Sequence, residues 1–264
     1  MKVAAAASSA LRSVLAGPLQ PAGWLGASAS ALYLQIAGRP GVLAVLAHDA
    51  VRLPCGLLLP QTSGEMPLSG LAPAEPFSAP CTVGGGAVTW TGPAGPIVIS
   101  PVRRWAPACV SSGTVVPAAV ARVLAALPGA ASAGVDGAEL RRLRGGDPAS
   151  AVARLLGRGP GLTPSGDDVL AGFLLGARAS GLDVSRLRRE VMRRAPDATT
   201  ALSATLLWHA VRGECADEVA GLAVALCGRG APEAALSRLL GVGHTSGAAL
   251  AWGLIAAAAV DGDS

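Results

Sequence analysis

From about Leu32 to Trp105 the chain alternates short apolar runs with Gly and Pro: Ala31 to Ala37, Val42 to Leu46, Gly56 to Leu59, Ala87 to Trp90 and Ile97 to Ser100. Runs of this length bounded by turn residues predict strands. The connection Thr91-Gly92-Pro93-Ala94-Gly95-Pro96 predicts hairpins or a meander of mostly antiparallel strands. Pro60 to Pro80, rich in Pro, Ser and Gly, reads as a long loop. Beyond Pro107 the spacing becomes helical. Pro117 suits the first position of a helix running to Leu127, and Asp147-Pro148 reads as an N-cap with an N1 proline for a helix ending near Gly157. Further helices are expected at about Asp167 to Ala179, Val184 to Arg194, Thr199 to Val211, Ala216 to Cys227, Pro232 to Leu240 and Ser246 to Ala259. The fold class is therefore α+β: a β-rich domain over residues 1–110 and an all-helical domain over 111–264, with the change of texture near 107–116.

Composition narrows the chemistry. Apolar residues make up 51% of the 264 residues and charged ones 14%, which excludes a disordered chain. The 21 basic residues against 17 acidic ones leave a net charge of +4, and Lys2 is the only lysine among them. An interior lysine is needed for a Schiff base, for a Walker phosphate loop and for the phosphate-pairing strand of a protein kinase, so those classes fall away. Five cysteines without a C-x-x-C pair and three histidines argue against a disulfide framework or a zinc site and suit buried thiols in a reducing cytoplasm. The opening Met1-Lys2-Val3 and Ala4 to Ala7 has the look of a signal peptide, but Arg12 interrupts it, so export is not expected. Ala248 to Val260 is too short for a membrane span and reads as a packed core helix. The Arg141-Arg142-Leu143-Arg144 and Arg186 to Arg194 runs lack aromatic neighbours, so solvated helix faces are expected and nucleic acid is not.

Candidate chemistry lies in two glycine-rich stretches that precede predicted helices. Gly157-Arg158-Gly159-Pro160-Gly161-Leu162-Thr163-Pro164-Ser165-Gly166-Asp167-Asp168 opens an apolar helix. Backbone N–H groups of such a loop, with the positive end of the helix dipole, can hold an anion without lysine. No nucleotide motif is completed, since Leu162 stands where the third glycine would be. One acidic residue suffices to cap a helix, so the adjacent pair Asp167 and Asp168 leaves capping and a ligand or Mg²⁺ role both open. Gly241-Val242-Gly243-His244-Thr245-Ser246-Gly247 repeats the device. His244 there suits an acid, a base or an oxygen ligand, or a mere cap. Thr199 reads as an N-cap and Ser203 as a hydroxyl bonded back to its own helix, with His209 a buried polar partner.

These motifs resemble the AllH family, a subunit of oxamate carbamoyltransferase. The resemblance is carried by Gly159 to Asp168 with Leu170 and Gly172, by Thr199, Thr200 and Ser203, and by Gly243 to Gly247 with Leu250 and Gly253. It implies a cytoplasmic subunit working with other carbamoyltransferase subunits on small anions: oxalurate plus phosphate giving oxamate plus carbamoyl phosphate. Thr245, where relatives carry a second Ser, and Ala248-Ala249, in place of a polar residue, depart from the pattern at the oxamate contact. On this reading Asp167, Asp168 and His244 are the catalytic candidates, with the acidic pair also the Mg²⁺ candidate. Arg158, Gly161, Thr163, Ser165, Gly166, Thr199, Thr200, Ser203, Thr245, Ser246 and Gly247 are the substrate-binding candidates. The alternative is a noncatalytic structural or regulatory subunit that binds a phosphate-type anion within a hetero-oligomer, docking through the apolar surface that so high an apolar content leaves.

Overall fold

The computed structural model describes residues 1–39, 41–73, 80–144 and 147–259. It divides into two compact units, Met1–Pro107 and Ala108–Ser264.

The first unit is an eight-stranded closed barrel. Its strands are β1 (Lys2–Ser8), β2 (Gln20–Ala27), β3 (Ala31–Ile36), β4 (Val42–Leu46), β5 (Gly56–Leu58), β6 (Cys81–Gly84), β7 (Ala87–Gly92) and β8 (Gly95–Trp105), with a short helix α1 (Arg12–Ala16) after β1. The order is β1-β5-β4-β3-β2-β6-β7-β8, and the barrel closes where β1 pairs with β8 in parallel. The expected antiparallel pairing holds for most neighbours, and Thr91 to Pro96 does turn the β7–β8 hairpin, whereas β4–β5 and β1–β8 are parallel. The interior is filled by apolar side chains around Trp24 and Trp90, whose rings meet edge to face at 5.6 Å, a favoured aromatic geometry. The opening alanine run is a barrel strand, with Val3, Ala5 and Ala7 facing inward.

The second unit holds β9 (Ala108–Cys109), α2 (Pro117–Ala126), α3 (Gly137–Arg144), α4 (Pro148–Leu155), α5 (Ser165–Ser180), α6 (Ser185–Ala198), α7 (Ala201–Val211), β10 (Glu214–Cys215), α8 (Asp217–Leu226), α9 (Pro232–Leu240) and α10 (Ser246–Ala258). It is helical except for the two-residue strands β9 and β10, which pair with each other. Asp147 caps α4 as expected, accepting the Ser150 N–H at 3.3 Å. Along α6 the inward residues Leu187, Val191 and Ala195 recur every fourth position while Arg186, Arg188, Arg189 and Arg193 are exposed, so this run is a solvated face. Of the thiols, Cys55, Cys81 and Cys215 are buried, but Cys109 is exposed. Within the described residues no helix is long and apolar enough to cross a membrane.

All but two residues of α5 are buried, so this helix is the centre of the unit. It packs along its length on α10, and residues of equal advance meet: Gly172 faces Leu250, Gly176 faces Leu254, and the Ser180 hydroxyl reaches the Ala257 carbonyl at 3.4 Å. The two helices therefore run parallel with their N-termini side by side. A Cβ at Gly172 would strike the Leu250 carbonyl, and one at Gly253 would strike the carbonyl of Val169. Backbone thus touches backbone, and only glycine permits it.

Gly253→Ala should part the two helices and destabilise the fold by about 1–3 kcal/mol or more, the cost of overpacking a filled interior. Gly230→Ala, where a Cβ meets nothing within 4 Å but φ is +98°, should cost only backbone strain. Urea unfolding midpoints of the two variants check the difference.

Candidate functional site

The three motif segments meet where α5 and α10 begin. Gly157, Gly159 and Gly161 take φ values of +74°, +120° and +85°, which lets the loop double back on the start of α5. Gly157 is also crowded, because a Cβ there would strike the Ala198 carbonyl. The Gly166 N–H donates to the Arg158 carbonyl at 2.9 Å. Helix α5 begins at Ser165, two residues before the expected start, with Pro164 at the N-cap position and no side-chain cap. Asp167 and Asp168 are consequently third and fourth in the helix and point about 100° apart around it.

That divergence gives the two carboxyls different partners. Asp167 accepts the Gly157 N–H at 2.7 Å on Oδ1 and the Thr199 hydroxyl on Oδ2. It ties the 157–163 loop and the turn before α7 to α5. Burial raises its carboxyl above the usual range, opposed by donors from Thr199, Gly157 and Ser203. The N-cap of α7 is Thr200, not the expected Thr199: its Oγ1 accepts the Ser203 N–H at 3.0 Å and donates to the Leu162 carbonyl at 2.5 Å. Ser203, expected to bond back along its own helix, reaches that same Leu162 carbonyl at 3.5 Å, while Thr205 makes the back-bond, to Ala201 at 2.8 Å.

Asp168 turns toward α10. Its carboxyl lies against the Ser246 hydroxyl, and Ser246 Oγ is 3.1 Å from Thr163 Oγ1, so the two glycine-rich loops touch. Asp168 is 6% exposed and its Oδ2 is buried without a hydrogen-bond partner. Burial pushes the carboxyl up to about 8, with the neighbouring Asp167 charge adding to the rise and Ser246 opposing it.

The remaining candidates divide. The Ser165, Ser246 and Ala248 amides have no backbone acceptor among the described residues. Ser165, Gly166 and Gly247 are buried, whereas Arg158, Gly161 and His244 are exposed at the rim. Gly166 and Gly247 are packing glycines: their Cβ positions are occupied by the Leu155 and Leu239 carbonyls, and the Gly247 N–H donates to Val242 at 2.9 Å. Thr245 is the N-cap of α10 but makes no side-chain cap bond. No motif marks the turn before α3, where Gly134 approaches the Ser165 hydroxyl. A surface hollow of about 490 Å³ opens there, lined by Ala130, Gly134, Val135, Gly137 and Arg158 among others. The Asp136-Gly137 pair was its one sequence signal. His209 stands apart from the junction, fully buried, with Nδ1 2.7 Å from Glu214 Oε2.

Magnesium fits this donor set poorly. Asp167 spends both oxygens on Gly157 and Thr199, which leaves Asp168 as the one carboxyl of the pair with an unpartnered oxygen to offer a hard cation. Among the described residues no three His, Cys, Asp or Glu side chains gather as a metal site would.

Residues 155–258, from the end of α4 through α10, match the model of the family described as oxamate carbamoyltransferase subunit AllH. The resemblance read from the motifs is thereby shown over that stretch, which contains all three of them. No solved structure matches the chain.

Because the folded carboxyl of Asp168 titrates at about 8 and the unfolded one at 3.8, the native state binds the extra proton between those values. Stability should therefore fall as pH rises from about 4 to 8, by up to a few kcal/mol from this one group. Asp168→Asn should lose that slope and be the more stable protein at pH 8. Thermal melts of both forms across pH 4–8 check it.

Proposed function

We propose that the α5–α10 junction is the small-anion site of a carbamoyltransferase subunit of the AllH kind, acting with partner subunits on phosphate, carbamoyl phosphate and oxamate-like ligands. The observation that carries this reading is the contact of Thr163 with Ser246 at 3.1 Å across two parallel helix starts, since like dipole ends and their amides then act on one point. The family match over residues 155–258 supports the substrate class. In such a transfer a phosphate oxygen attacks the carbamoyl carbon, the bond from that carbon to the oxamate nitrogen breaks, and the nitrogen takes up a proton. Preorganised donors serve this chemistry by holding the phosphate and the oxyanion that develops on the carbonyl.

The chain's own residues would share that work. The Ser165, Ser246 and Ala248 amides and the Thr163 and Ser246 hydroxyls would hold anion oxygens. Arg158 and His244, exposed at the rim, would meet the ligand's second group, and Asp167 with Thr199, Thr200 and Ser203 would keep the loop in place. A noncatalytic anion-binding subunit is the second reading, favoured by the Gly166 and Gly247 amides being spent on the protein's own carbonyls.

Calorimetry with phosphate should detect binding to the chain alone. His244→Ala should weaken it on the order of tenfold, as loss of one hydrogen bond to a charged group does, and Thr163→Val should weaken it with the fold intact. Carbamoyl phosphate formation from oxalurate should require this chain together with its partner subunits and fall in the same variants. Undiminished turnover in variants that no longer bind phosphate would place the chemistry in another subunit and leave the noncatalytic reading.

A further inference from the structure

Beside its unpaired amides the junction contains a carboxyl oxygen that the protein itself leaves unsatisfied. Oδ2 of Asp168 is buried without a partner, in a residue only 6% exposed, between the starts of two helices. A buried polar atom with no partner is costly, and the carboxyl that carries it lies against the Ser246 hydroxyl that joins the two loops. An ionised carboxylate at that place would repel the anion the helix starts attract. A neutral carboxyl has an O–H to offer, the one form of Asp168 that suits both its burial and an incoming oxyanion.

Resting on the reading of the junction as an anion site, we propose that Asp168 binds the ligand as an uncharged acid, donating through Oδ2 to one oxygen, so that anion and proton are held together. Among the described residues Asp167 is the charged group that acts on its carboxyl, and it raises the carboxyl further. Helix α10 carries no titratable side chain from Ser246 to Ala258. On the other elements packed against α5, Arg154 of α4 is turned to Glu139 and His209 of α7 is bonded to Glu214. Asp217 and Glu218 of α8 sit in that helix's own first turn. Arg158 and His244 are exposed on the loops, and Asp136 lines the same hollow as Arg158. An ionised Asp168 would thus meet no compensating cation at its own depth among the described residues.

Sulfate is the probe that tests this, because it stays a dianion across the range where Asp168 titrates while offering the same kind of oxygens as phosphate. With the full-length protein, sulfate affinity should weaken about tenfold for each pH unit above 8, up to pH 9.5. Near pH 9, titrations in buffers of different ionisation enthalpy should show close to one proton taken up per sulfate. Asp168→Asn, which keeps a neutral donor at every pH, should bind with no such dependence and no proton uptake, and Asp168→Ala should bind weakly throughout. Circular dichroism confirms that each variant is folded. Sulfate binding that is equally tight at pH 7.5 and 9.5 in the wild type would overturn the acid role and leave the anion site standing. Failure of sulfate and phosphate alike to bind at any pH would overturn both.

Discussion

Everything at the junction depends on the backbone contact between α5 and α10. Gly172, Gly176 and Gly253 let the two helices approach until carbonyl meets Cα, and their parallel course sets two positive dipole ends together. Half-charges about 8 Å apart at an effective dielectric near 20 repel by only about 0.5 kcal/mol. Packing along a helix that is buried on all sides outweighs that easily. Asp167 in the first turn of α5 offsets part of that repulsion, and an anion bound between the two helix starts would offset more of it.

The acidic pair shows how one residue's step along a helix separates two kinds of work. Asp167 faces the loop and the turn before α7, and its two oxygens are filled by Gly157 and Thr199. Asp168, rotated by a quarter turn or so, faces α10 and keeps one buried oxygen unpartnered. Substitution at the first would loosen the loop and so act at a distance, whereas substitution at the second would act on whatever the junction holds. Two adjacent carboxyls that look equivalent in a motif are a clamp and a candidate ligand contact.

Much of this was legible in the chain. Prolines and caps marked most helices to within a few residues, and the β-rich half was plain from its punctuated apolar runs. The opening strand was hidden because alternation cannot be read in Ala4 to Ala7, where inward and outward residues are identical. The start of α5 lies two residues before the acidic pair that suggests it, because the same residues, Pro164 and Ser165, close the loop and open the helix. Glycine identity misled in another way: Gly166 and Gly247 looked like anion-cradling residues, but their missing side chains make room for the Leu155 and Leu239 carbonyls. A motif reports that glycine is needed, and only the packing tells for what.

The parallel helix starts are tested most directly by amide nuclear magnetic resonance during a phosphate titration. If they form one site, the Ser165, Ser246 and Ala248 amides should shift together and fit a single dissociation constant. Shifts confined to one of the two helix starts, or shifts in both that fit different constants, would contradict a shared site.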